Sequence, residues 1–136
     1  MKKSERQIEV LLESLVEVVN IEKVIDSLPR GYISVKVISG HTYYYRQWRE
    51  GNKIISSYVP ESYLNVIKQK IEIRKQNEQL LKIVKKDYKK AERAVIKNND
   101  LSLEDIEKLK SRIENSDINE DNRFAKIQEL MAEIVK

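Results

Sequence analysis

The feature that most limits what this chain can fold into is a change of hydrophobic period, made twice. Over residues 5–28 the apolar residues Ile8, Leu11, Leu12, Leu15, Val16 and Val19 recur at spacings of three and four, which is one face of a helix. Over residues 32–59 the spacing falls to two. Ile33, Val35 and Val37 alternate with Ser34 and Lys36, as residues of a half-buried strand do. Beyond Pro60 the helical spacing returns. A proline stands at each change. Pro29 disfavours helical backbone at Leu28, and Pro60 suits the first turn of a helix. A chain with this order of periods is α+β. We expect a three-stranded antiparallel meander packed with an N-terminal helix and a long basic helix, followed by two short C-terminal helices.

The punctuation refines the elements. Ser39-Gly40 reads as a two-residue turn, with glycine supplying positive φ, and Glu50-Gly51-Asn52 reads as the next turn. They divide the middle third into strands, the second running over 41–49 and the third over 53–59. Two short turns joining sequential strands make a meander. Asn20-Ile21 is a point where the first helix is open to division. Over 61–97, Tyr63, Leu64, Ile67 and Ile71 form one stripe, and Leu80, Leu81, Ile83, Val84, Tyr88, Ala91 and Val95 form a second. One long helix and two helices with a bend near Asn77 both satisfy this pattern. Asn98-Asn99-Asp100 ends it. Ser102 with Asp105 approximates a capping box, which prefers Glu or Gln at the third position. Leu103, Ile106, Leu109 and Ile113, then Phe124, Ile127, Leu130, Met131 and Ile134, mark a helical hairpin over 102–136. The length of 136 residues is a prior for one domain over 1–136.

On the central strand, aromatic residues fall on both faces. His41, Tyr43, Tyr45, Gln47 and Arg49 point one way, and Thr42, Tyr44, Arg46, Trp48 and Glu50 the other. A sheet of three strands cannot cover both faces by itself.

Charge is segregated along the chain. Residues 1–30, 31–59, 60–97 and 98–136 carry net charges of −1, +3, +6 and −4, which together give the formal +4. The positive charge therefore lies in the meander and the helix that follows it. The absence of cysteine excludes disulfides, thiol catalysis and cysteine-ligated zinc. Met1-Lys2-Lys3-Ser4-Glu5-Arg6 leads into no apolar run long enough for a signal peptide or a membrane span. The expected location is cytoplasmic. The basic helix lacks the Trp and Phe anchors of a membrane-surface helix, so no membrane partner is expected.

The run Leu28-Pro29-Arg30-Gly31-Tyr32-Ile33-Ser34-Val35-Lys36, with Gly40, Tyr43-Tyr44-Tyr45, Arg49-Glu50-Gly51 and Lys53, resembles a family of short, uncharacterised bacterial, archaeal and phage proteins. Its pattern is Leu-Pro-x-Gly-x-Ile, a Tyr-Tyr-Tyr strand, an Arg-Glu-x-Gly-Lys turn and a charged helix. Here Asn52 separates Gly51 from Lys53. The resemblance covers about residues 28–75 and implies no activity. A second likeness, to the arm-type DNA-binding domains of tyrosine recombinases, rests on a three-stranded sheet preceding a helix.

Enzyme chemistry finds no footing in these residues. His41 is the single histidine, and a lone histidine beside a turn is ordinarily a surface or packing residue. No zinc-protease, phosphate-loop or dinucleotide-binding motif occurs. The segment from Asp117 to Asp121 lacks the spacing and glycine of a calcium loop. We expect no enzyme, no cofactor, no metal site and no catalytic residue. The tyrosines have a plain reading as cross-strand pairs and core, and the helix lysines as a solvated face. The functional reading is nucleic-acid binding, with DNA as the first ligand. Either Tyr44, Arg46 and Trp48, or Tyr43, Tyr45 and Arg49, would meet bases. Lys36, Lys53, Lys68 and Lys75 would meet phosphates. The alternative is a regulator or inhibitor that binds a larger nucleic-acid-processing protein. The apolar group from Leu80 to Tyr88 points to a homodimer, unless residues 103–114 cover it.

Overall fold

The structure is a computed structural model that describes residues 3–135; Met1, Lys2 and Lys136, which fall within the spans anticipated above, lie outside the described residues. The fold is α+β. Helix α1 (Lys3–Asp26) is followed by strands β1 (Tyr32–Ile38), β2 (His41–Glu50) and β3 (Lys53–Val59). A single 3-10 turn, Glu61–Tyr63, opens the long helix α2 (Leu64–Lys97). The helices α3 (Leu103–Glu114) and α4 (Arg123–Ile134) complete it. The sheet is an antiparallel meander in the order β1-β2-β3.

By density of contact the chain forms two compact units, one made of Val24–Gln79 and the other of the residues up to Lys23 together with those from Leu80 onward.

The second of these is helical. Leu11, Leu12, Leu15 and Val16 of α1 are fully buried and share one core with Val95, Ile106, Ile113 and Ile127. The helix does not divide at Asn20-Ile21. The Asn20 side chain donates to the Ile118 carbonyl at 3.1 Å, and Ile21 is buried. The polar group that would compete with the helix backbone is thus engaged elsewhere. Residues 103–114 supply Ile106, Leu109 and Ile113 to the same core as Ala91 and Val95, with Tyr88 packed against it. Leu80 and Ile83 stay exposed. Burial, and then a hydrogen bond to Glu92, push the Tyr88 phenol above its ordinary pKa.

Helix α2 ends in a Schellman motif: Asn99 takes φ of 58°, its N–H returns to the Ile96 carbonyl at 3.0 Å, and the Asp100 N–H returns to Val95 at 3.1 Å. The capping box before α3 is complete despite its aspartate, since Asp105 N–H donates to Ser102 Oγ at 3.1 Å and Ser102 N–H to Asp105 Oδ2 at 3.0 Å.

The sheet unit is built on tight turns. Ser39 and Gly40 both have positive φ, 51° and 79°, the pattern of a type I′ hairpin turn. Glu50 pairs with Lys53, so the second loop is only Gly51-Asn52. Gly31 has φ of 105°, and a Cβ there would lie 2.0 Å from the Gln47 carbonyl oxygen. Only glycine lets β1 begin this close to β2. The end of α1 is capped by a distant side chain. Arg74 donates to the carbonyl of Ile25 at 2.7 Å, in the last turn of α1, and to that of Leu28 at 2.6 Å, in the turn that follows it. The helix stops at Asp26 rather than at Leu28. Buried apolar residues in this unit are few: Ile25, Val59, Leu64 and Ile71. Helix α2 runs unbroken through Asn77, whose side chain donates to the Ile73 carbonyl at 2.8 Å.

Candidate nucleic-acid interface

The register sorts every sheet residue onto one of two faces, because cross-strand partners share a face and neighbours along a strand do not. One face carries Ile33, Val35 and Val37, then Thr42, Tyr44, Arg46, Trp48 and Glu50, then Lys53, Ile55, Ser57 and Val59. The other carries Tyr32, Ser34, Lys36 and Ile38, then His41, Tyr43, Tyr45, Gln47 and Arg49, then Ile54, Ser56 and Tyr58.

On the first face Arg46, Trp48 and Glu50 are engaged with the fold. The Arg46 guanidinium lies 3.8 Å from the Trp48 ring centroid, a cation–π contact, and donates to the Arg30 carbonyl at 2.7 Å. Partial burial, and then the Arg30 charge, lower the Arg46 pKa. Trp48 Nε1 donates to Glu50 at 3.0 Å, and Glu50 pairs with Arg30 at 3.7 Å. Tyr44 is half-buried and pairs with Val59 across the strands, a residue only 2% exposed. Arg46, and Trp48 through Glu50, thus hold β2 to the segment around Arg30, while Tyr44 lies beside Val59. Val35 and Val37 are exposed at the hairpin end of this face.

The second face is different in kind. Tyr45 sits at its centre. Lys36 Nζ lies 4.9 Å from the Tyr45 ring centroid. The Tyr58 ring meets Tyr45 edge-on, with centroids 5.9 Å apart and planes at 68°, a favoured aromatic geometry. Tyr32 and Tyr58, on the two outer strands, are 52% and 56% exposed. Arg49 is exposed at the far end of β2. Neither Lys36 nor Arg49 forms an ion pair among the described residues. No Asp or Glu lies on this face. At the Gly40 end, His41, Tyr43 and Tyr58 border a cleft that also meets Glu61.

The residues singled out in the sequence therefore separate. Lys36 and Arg49 share the open face with Tyr43 and Tyr45. Tyr44, Arg46, Trp48 and Lys53 belong to the opposite one. Lys68 and Lys75 are exposed on α2, and Lys75 borders a hollow with Arg30, Gly31 and Arg74. Tyr58 and Tyr32 stand out on the open face, and the turn length could have found them: a two-residue loop fixes the parity of β3 against β2. The roles of Arg30 and Arg74 carry no local signal, since both act through partners distant in sequence. Among the described residues no cluster of three His, Asp or Glu side chains could hold a metal, and no helix is long and apolar enough to cross a membrane.

Fold and surface define a small α+β protein that presents an aromatic, basic sheet face. The sequence pattern of a domain of unknown function, DUF6788, matches residues 1–69, and the chain belongs to that family. The match spans α1, the whole meander and the opening of α2, so it includes every residue of the open face. No curated protein and no solved structure matches the chain.

Proposed function

We propose that the protein binds nucleic acid, with DNA the first ligand to test, through the open face of its meander. One observation carries this reading: Tyr45, flanked by Lys36 and Tyr58, lies on an accessible sheet face that holds Arg49 and no carboxylate. Rings of this kind stack on bases, and the two cations pair with phosphate. Arg49 also has the fork geometry that reads a guanine edge. Arg46 and Trp48 support the platform from behind. The basic side of α2, through Lys68 and Lys75, adds affinity that does not depend on base sequence.

The test is fluorescence anisotropy with labelled DNA at two salt concentrations. It compares the native protein with the double reversal Lys36→Glu and Arg49→Glu, checked by circular dichroism. Affinity is expected to fall sharply, and the slope of log affinity against log salt to become shallower. Reversal of Lys68 and Lys75 to Glu should weaken binding less. Absence of binding by the native protein at low salt overturns the reading. Capture of a nucleic-acid-processing protein by the same preparation would then favour the regulator described above.

A further inference from the structure

We infer that the open face takes a single-stranded nucleic acid, held by stacking, in preference to a duplex. This rests on the nucleic-acid reading and specifies its ligand.

The balance of side chains carries the inference. A duplex buries the ring faces of its bases in the helical stack and shows a protein two phosphate rails and the base edges. Surfaces that read it are dense in cations and in polar groups that reach those edges. The open face here carries two cations, Lys36 and Arg49, beside four tyrosines and the exposed Ile38 and Ile54. Such a surface gains little from phosphate rails. It gains more from flat apolar rings, which only an unstacked strand presents.

The geometry agrees with the composition. Tyr43 and Tyr45 stand two residues apart on β2, about 6.7 Å along the strand. Tyr58 lies beside Tyr45 on β3, and Tyr32 lies opposite Gln47 on β1, one level further along the same face. Two interstrand spacings across and two residues along put these outer positions about 12 Å apart. Tyr45 is steadied by Lys36 over its ring face and Tyr58 at its side. The outer rings of Tyr32 and Tyr58 remain more than half exposed. An open sheet of this size offers room for about two or three stacked bases. Lys36 stands beside the rings to meet the phosphates between them. Glu61 borders the cleft at the Gly40 end, and its charge would turn a phosphate backbone away there.

The experiment measures anisotropy with short labelled single strands of DNA and of RNA and with a duplex of equal length. The single strands are expected to bind more tightly than the duplex. Their salt slope should be shallow, about −1.4 from the two cations of the face and about −2.8 with Lys68 and Lys75 added. Tyr58→Ala and Tyr32→Ala replace exposed rings, so both variants should stay folded, as circular dichroism would verify. Each should weaken single-strand binding by about tenfold, while Tyr58→Phe, which keeps the ring, should retain most of it. Duplex binding equal to or tighter than single-strand binding overturns the inference and leaves the nucleic-acid reading standing. Absence of binding to all three overturns both. Unchanged binding by both alanine variants overturns the choice of face.

Discussion

The helical unit and the sheet unit treat their apolar residues in opposite ways. In the helical unit Leu11, Leu12, Leu15, Val16 and Val95 have no measurable exposure and belong to one core drawn from four helices. In the sheet unit the buried apolar residues are Ile25, Val59, Leu64 and Ile71, while Tyr32, Val35, Val37, Ile38, Ile54 and Tyr58 are all more than half exposed. The sheet unit is held instead by polar devices: the Arg74 cap on α1, the Arg46 bond to Arg30 and the close approach at Gly31. Burial of apolar area is the main stabilising term in a small domain. A sheet that leaves its rings in water forgoes that stabilisation and keeps the rings available for a ligand.

The contrast can be broken most directly by cutting side chains in each unit. Leu15→Ala leaves a cavity in the helical core and should cost about 3–5 kcal/mol. Val35→Ala, at a residue 57% exposed, should stay within about 0.5 kcal/mol. Urea denaturation of both variants measures the difference. Equal losses would show that the sheet is as tightly packed as the helices.

A smaller effect is expected at Gly31. Alanine there meets both a positive φ and the Gln47 carbonyl, at a cost of about 1–3 kcal/mol in backbone strain. Amide hydrogen exchange should show faster opening in β1 and β2, with the amides of α3 and α4 unchanged. Acceleration throughout the chain would mean that the two units unfold as one.

The smallest effect concerns acid. Hydrogen bonding from the Ser102 backbone, and then from its side chain, holds the Asp105 carboxyl below its ordinary pKa. A depressed carboxylate contributes stability above its unfolded pKa and loses that contribution as pH falls through the lower folded value. The start of α3 should therefore loosen only in acid below the ordinary carboxylate range. Asp105→Asn should flatten the dependence, as read from helix chemical shifts across an acid titration.

Much of the architecture was legible in the residues. The period change from Val19 to Ile33 marks helix against strand. Ser39-Gly40 specifies a hairpin turn by its tolerance of positive φ, and Leu103, Ile106, Leu109 and Ile113 mark a short helix by their spacing. These are local signals, set by the backbone and its nearest neighbours. The candidate site was half legible. Alternation along β2 sorted Tyr43, Tyr45 and Arg49 from Tyr44, Arg46 and Trp48, and the contrast of sectors indicated where the positive charge lies.

Which of the two faces stays open is another matter. It depends on Arg30 reaching Glu50, on Arg46 reaching the Arg30 carbonyl, and on Arg74 reaching the Leu28 carbonyl, 46 residues earlier. The continuity of α1 depends on Asn20 finding the Ile118 carbonyl, 98 residues away. Period, turn chemistry and charge are properties of neighbouring residues, so the sequence by itself determined the order and kind of the elements. Pairings across tens of residues exist only once the chain is folded, so the tertiary structure alone decided which aromatic face is held and which meets solvent.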